Sequence, residues 1–254
     1  MALLNGLAAG LSSYYNICYN GAWRKWDLRP EHLRSARQTA GLTQQQAADR
    51  LGVSQPYLAL LERGRRPVTA QLGSKFVKLY RLGSTTLPLE SESIDKWHSS
   101  SLAAALASLG YPGFRQLRGA HRKNPAVVLL AAIAASEVEV RAIEALPWLV
   151  VEHSNLDWEW LMREAKLRDV QNRLGFVVTL ARQVAEKRGY ASVASRLREI
   201  EKVLDRVRLV REDTLCQASL SDAERRWLRR TRPVEARRWN LLTDLNAQFL
   251  PYAA

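Results

Sequence analysis

The sequence predicts an all-α protein: a small basic domain built on two short helices joined by a tight turn, then a larger all-helical domain. Three observations carry this reading. Apolar residues recur at spacings of three and four along most of the chain, which aligns side chains on one face of a helix. Capping residues punctuate these runs, with Ser, Thr or Asn ahead of them and Gly behind. No stretch alternates apolar and polar residues with the period of two that a half-buried strand needs. At 254 residues with 47% hydrophobic content, the chain can hold one small and one medium core.

The small domain is placed at residues 28–83, and its centre runs from Thr43 to Gly64. Thr43 and Ser54 are N-cap residues, whose side-chain oxygens accept from free backbone N–H groups, and Gln46 stands three after Thr43 as in a capping box. Each cap opens one helix. Gly52 follows Leu51 where the chain reverses, a position that needs a positive φ. Ala48 lets the two helices approach, while Leu51, Val53, Leu58 and Leu61 supply apolar contacts and Gln44, Gln55, Tyr57 and Arg63 face outward. Two short helices in this relation form a helix-turn-helix.

This segment resembles the Cro/C1-type, or XRE-type, helix-turn-helix of phage repressors and bacterial regulators. The matching features are Gly41-Leu42-Thr43-Gln44, the small Ala48, the turn Gly52-Val53-Ser54-Gln55, and Leu61-Glu62-Arg63-Gly64 closing the second helix of the motif. The segment, Leu33 to Leu82, covers about fifty of the 254 residues, and the resemblance implies five helices, the first expected at Pro30 to Thr39, the fourth near Thr69 to Leu72 and the fifth near Lys75 to Leu82, with Pro67 separating the third from the fourth. The resemblance implies double-stranded operator DNA as partner, with the third helix in the major groove. Carried across, Gln55 is the base reader, since a glutamine can pair bidentately with adenine. Tyr57 and Ala59 are further candidates for base contact, and Leu60 offers an apolar contact to a thymine methyl. Gln44 and Ser54, at helix starts, and Arg34, Arg37, Arg63, Arg65 and Arg66 are the candidates for phosphate contact. Two departures matter: Pro56 stands where a DNA-contacting residue is common, and Leu60 where a polar one is usual. Fewer direct base contacts and more reading of DNA shape are therefore expected.

Charge points the same way. The chain carries a net charge of +13, and residues 29–82 hold ten Lys and Arg against three Asp and Glu, or +7 in about a fifth of the length. Such a local excess suits phosphate attraction. Cys18 and Cys216 are too few and too far apart for a disulfide framework or zinc site, so a reducing cytoplasm is expected. No run of eighteen apolar residues suggests a membrane span. His32, His98, His121 and His153 are dispersed, no glycine-rich phosphate loop occurs, and no nucleophile, base and orienting group assemble. Neither enzymatic activity, metal nor cofactor is expected.

Residues 1–27 are read as an N-terminal extension without clear period, ending in Trp23-Arg24-Lys25-Trp26. An arm that touches DNA or a partner and a loosely ordered tail both remain open. Residues 84–101, rich in Ser, Thr and Glu and containing Pro88, read as a linker.

The larger domain, 102–254, is read as a partner-binding or dimerisation unit. Ser101 is expected to cap Leu102 to Leu109, and Asn124-Pro125 to open an apolar helix from Ala126 to Ala135. Another helix is placed from Glu137 to Val151, and one starting at Asn155 or Leu156 through Asp157-Trp158-Glu159-Trp160-Leu161. Asp157, Glu159 and Glu164 cluster there, and pairing with Arg163, Lys166 or Arg168 is expected over acid–base work. Val170, Leu174, Val177, Ala181 and Val184 make one apolar seam, and Val193, Leu197, Ile200, Leu204 and Val207 a second. Lys187-Arg188-Gly189-Tyr190 between them is a helix stop, so the pair reads as an antiparallel hairpin, with a dimer contact as the other use of the seam. Ser221-Asp222-Ala223-Glu224 is a capping box opening an arginine-rich helix with Trp227, broken at Pro233 and followed by Arg237-Arg238-Trp239. These basic clusters are open to three readings: a second nucleic-acid patch, a surface for an acidic partner, or a solvated face.

Segments Leu146-Pro147-Trp148-Leu149, Asp157 to Leu161 and Gln171 to Phe176 look similar to the helical halves of XRE-type regulators encoded beside toxins, particularly nucleotidyltransferase-like ones. That resemblance implies an antitoxin that represses its own operon as a homodimer and neutralises a cognate toxin. The alternative is a ligand-sensing regulator with a small-molecule pocket in the C-terminal domain, which calls for a closed apolar cavity.

Overall fold

The computed structural model describes residues 30–87, 89, 94, 97–117 and 122–250. The N-terminal extension, with Cys18 and the Trp23–Trp26 cluster, lies outside the described residues, as does His121. The described chain is helical almost throughout. In the first domain α1 runs Pro30–Thr39, α2 Gln44–Leu51, α3 Gln55–Glu62 and α4 Ala70–Leu79. The expected fourth and fifth helices are thus one: Thr69 accepts from Leu72 N–H and starts a helix with no break before Leu79. Its buried Leu72 and Phe76 lie four apart and face the core with Tyr80. The last helical element is a 3-10 turn, Ser84–Thr86.

The second domain comprises α5 Ser99–Ser108, α6 Pro125–Ala134, α7 Val140–Glu152, α8 Trp158–Leu167, α9 Gln171–Lys187, α10 Ala191–Asp205, α11 Asp222–Thr231 and α12 Val234–Arg238. Three starts differ from expectation. Helix α5 begins at Ser99 after His98, inside the expected linker; α7 begins at Val140 instead of Glu137; and α8 is capped by Asp157, which accepts from Trp160 N–H. The Asn124 and Ser221 caps form as read. A short parallel pair joins β1 (Asp213–Thr214) to β2 (Leu241–Leu242), too short for any alternation to reveal it.

Helix α9 is the central post. It pairs with α10 as the expected antiparallel hairpin, turning at Gly189 with φ 74°, and also packs on α7, α8 and α12. Both seams are spent inside the molecule: Leu174, Val177, Ala181, Leu197 and Leu204 are buried. Polar side chains of α9 then hold the irregular segments that follow. Asn172 donates to Leu209 O at 2.9 Å and accepts from Leu209 N–H at 2.8 Å. Arg173 donates to Ile133 O and Ala135 O at 2.9 Å, closing the C-terminus of α6, and pairs with Asp213 at 2.7 Å. Cys216 is buried beside it, and burial pushes its thiol up to about 11, so this sulfur packs instead of reacting.

The Arg237-Arg238-Trp239 cluster is corrected by this arrangement. Trp239 is fully buried against α9, its Nε1 donating to Thr179 Oγ1 at 2.8 Å, and Arg238 pairs with buried Glu201 at 2.7 Å. Trp239 is core and Arg238 lies at its rim, while Arg237 is exposed. Glu164 pairs with Arg168 at 2.7 Å and with Arg163, as expected.

Described residues of the expected linker pack on the two cores. Leu87 packs on the first core, whereas Leu89, Ile94 and Trp97 pack on the second. Asn124 joins the two sides, donating to Thr85 O at 3.0 Å and Leu87 O at 2.6 Å while capping α6. No helix among the described residues is long and apolar enough to cross a membrane.

The tightest approach in the C-terminal core gives a direct test. A Cβ built on Gly175 would run into the Trp239 indole ring. Gly175→Ala should therefore lower stability by about 1–3 kcal/mol, read as an earlier urea midpoint with unchanged slope. An unchanged midpoint would mean the indole is free to move away.

Candidate nucleic-acid interface

The helix-turn-helix is closed by local bonds at every corner. Thr43 and Gln46 form the reciprocal capping box, and Gly52 takes φ 72° with its N–H bonded back to Ala48 O and Asp49 O. Ser54 Oγ accepts from Tyr57 N–H at 3.3 Å, with Pro56 in the first turn of α3 where its missing N–H costs nothing. At the far end Gly64, φ 70°, lets Arg65 N–H reach Leu60 O at 2.9 Å, a Schellman-type stop. Lys75 caps α2 from α4, donating to Leu51 O at 2.8 Å. Leu33, Ala47, Ala48, Leu51, Leu58 and Leu61 fill the space between.

Across this frame runs a chain of polar contacts. Arg37 of α1 grips Glu62 at the end of α3 through two bonds, Nε to Oε1 at 2.7 Å and Nη2 to Oε2 at 3.2 Å, and donates to Leu42 O at 2.8 Å. Gln44, at the start of α2, donates to Glu62 Oε2 at 2.9 Å. Gln55, at the start of α3, donates to Gln44 Oε1 at 2.7 Å. Arg37 is only 9% exposed, and its hydrogen bond to Glu62 raises its already high pKa. The neighbouring Tyr80 phenol is pushed up to about 12 by burial and by the Glu62 charge.

These positions revise the sequence expectations for three residues. Arg37 leaves the set of phosphate contacts, because its guanidinium is committed to a buried carboxylate whose abandonment would strand a charge. Gln44 and Gln55 are half-buried and bonded to each other instead of being free outward groups. The bond to Gln44 uses one N–H of Gln55 and leaves its Oε1 and second N–H, the pair of groups an adenine edge takes.

Gln55, Ala59 and Arg63 follow at helical spacing on one outward face of α3, with Pro56 and Leu60 on the adjoining strip. Tyr57 leans against the core at their edge. Arg34, Arg63, Arg65 and Arg66 are exposed and form no ion pair among the described residues, so the structure keeps them available. Arg34, Arg37, Gln44, Glu62 and Arg63 together line a polar depression of about 350 Å³ at the start of α2. Ser54 keeps its hydroxyl hydrogen free, since capping uses only the oxygen lone pair.

Glu62 is the functional residue that sequence reading missed. The signal was present: it is one of three acids among residues 29–82, and it stands four after buried Leu58. Among the described residues no group of three His, Cys, Asp or Glu could hold a metal ion.

Comparison with known proteins agrees with this geometry. The helix-turn-helix domain family matches residues 31–88, so the N-terminal domain is a helix-turn-helix domain. Two uncharacterized HTH-type transcriptional regulators of Mycobacterium tuberculosis, from strains CDC 1551 / Oshkosh and ATCC 25618 / H37Rv, are each 34% identical over 74 residues. The match spans 29% of this chain and 53%, about half, of each relative. No solved structure matches.

Removing the hub of the polar chain has a defined expectation. Arg37→Ala leaves Glu62 buried without a counter-charge and should cost the N-terminal domain about 3–5 kcal/mol, read as faster amide exchange across α1 to α3. Arg34→Ala should leave exchange unchanged. Equal behaviour of the two variants would contradict the division between structural and free arginines.

Proposed function

We propose that this chain is a sequence-specific DNA-binding transcriptional regulator that acts as a homodimer. The observation that carries the reading is the outward face of α3, where Gln55 is held by Gln44, in a domain whose Arg34, Arg63, Arg65 and Arg66 are exposed and form no ion pair among the described residues. The arginines supply the sequence-independent attraction to phosphate, and Gln55 the selective contact to a base edge. With Pro56, Ala59 and Leu60 on the same surface, few other base-specific hydrogen bonds are available, and DNA shape carries part of the selectivity. A dimer would set two copies of α3 about 34 Å apart and read a pseudo-palindromic operator.

The C-terminal domain is far larger than dimerisation requires. Among the described residues its grooves of about 440, 550 and 510 Å³ are open clefts at the surface, not enclosed cavities, which favours a protein partner over a small-molecule signal. We therefore read the chain as an autorepressing antitoxin of the cytoplasm, binding a toxin encoded beside it through this domain. No catalytic step, metal or cofactor enters the proposal.

Purification of the tagged protein from its native cells at moderate salt tests both halves. Recovery of its own promoter with one neighbouring gene product supports the antitoxin reading; promoters without a protein partner leave only the regulator, and neither removes both. At the residue level, Gln55→Ala should weaken binding to the selected site by about 1–3 kcal/mol and leave non-specific binding nearly intact. Arg63→Ala should lower affinity on all sequences and reduce the salt slope by about one unit. Uniform loss on all DNA with Gln55→Ala, or an unchanged slope with Arg63→Ala, would refute the respective role.

A further inference from the structure

We propose that the groove between α7, α11 and the strap of residues 243–250 docks a basic, apolar-faced segment of a protein partner. The inference rests on the reading of the C-terminal domain as partner-binding and specifies the partner's chemistry. The floor is apolar and sealed, with Ile143, Leu215 and Leu228 buried. The walls are apolar and open: Val140 is 53%, Trp227 54% and Phe249 79% exposed. Three large apolar side chains converging on one groove form the kind of patch that a folded chain normally covers. The strap is fixed at its end by buried Leu250, with Leu245 and Ala247 packed on the core, and this leaves Phe249 pointing away from it.

Charge identifies what covers the groove. Three carboxylates line it, Glu144, Glu224 and Asp244, and no Lys, Arg or His does, in a chain with 38 Lys and Arg against 25 Asp and Glu. Glu224 is occupied by the Ser221 cap. Glu144 and Asp244 have no ion pair or hydrogen bond among the described residues. Elsewhere in the domain arginines gather on acids, and Glu186, Glu201 and Glu212 each pair with two of them. An arginine-rich chain that leaves these two rim acids unpaired beside exposed Trp227 offers a site for a cation from outside. The cation gains from the carboxylates and the indole face, while apolar anchors fill the floor.

A second copy is the poorer occupant. A two-fold contact sets the same patch against itself and would oppose Glu144 and Asp244 to their own copies. A helix carrying two or three Leu or Phe anchors along one face, flanked by Lys or Arg, meets both features of the groove.

The test uses the full chain and two fluorescent model helices of about fourteen residues, one of Leu and Lys and one of Leu and Glu, with anisotropy read at about 150 mM salt. The net charge of +13 favours the acidic helix at long range, so preference for the basic one reports local chemistry. We expect the Leu/Lys helix to bind at least about tenfold tighter, Trp227→Ala to abolish most of that binding, and Glu144→Lys with Asp244→Lys to reverse the preference. Equal or inverted preference in the unmodified chain overturns the assignment, as does binding indifferent to these substitutions in variants of unchanged circular dichroism. Self-association in sedimentation that Trp227→Ala abolishes also overturns it, since the occupant is then a second copy. These results are independent of whether a neighbouring gene product co-purifies, so the surface and the partner reading fail separately.

Discussion

The pairing of Arg37 with Glu62 is the contact on which the N-terminal domain depends. It joins α1, the helix that precedes the helix-turn-helix, to the last residue of α3. A buried ion pair adds little net stability over an apolar pair, because desolvation offsets the attraction. Its value lies in direction. Glu62 accepts from Arg37 and Gln44 together, and Gln44 in turn accepts from Gln55, so one carboxylate fixes the heads of α2 and α3 at once. Apolar packing alone sets how far apart the two helices lie; this chain of bonds sets how the Gln55 amide is turned. Rigid placement of the reading group before binding removes an ordering cost that the complex would otherwise carry.

The C-terminal domain uses arginine in the same manner for a different end. Its last sixty or so residues are short helices and irregular chain, with little local structure to hold them. Arg173 ties β1 to the end of α6, Arg182 and Arg238 converge on buried Glu201, and Trp239 stacks into the space that Gly175 leaves open. Much of the basic content that suggested nucleic-acid contact in this half is therefore structural. Of the exposed apolar side chains, Val140, Trp227 and Phe249 gather on one groove.

Local features were legible in the sequence and long-range partners were not. The capping boxes at Thr43 and Ser221, the Asn124 cap, the Gly52 and Gly189 reversals and the α9–α10 seams each depend on residues within about two turns of one another, and all are found. The fourth and fifth helices merge because Thr69 caps the segment and Gly73, inside it, keeps helical dihedrals instead of the positive φ that would end a helix. Arg37 and Arg34 look alike in sequence, and only the position of Glu62, 25 residues beyond Arg37, separates a buried staple from an exposed cation. Trp239 reads as part of a basic-aromatic cluster until Gly175 is seen to be its socket. The linker composition is real, yet Asn124 fastens it from 37 residues away.

The central claim is that the outward face of α3 reads duplex DNA through its major groove. Selection of the full chain against a random duplex pool, followed by methylation interference on the enriched sequences, tests it most directly. The account predicts an enriched motif with an A·T pair opposite Gln55 and interference at guanine N7, on the major-groove edge. Failure to enrich any motif, or interference confined to the minor-groove edge, would contradict it.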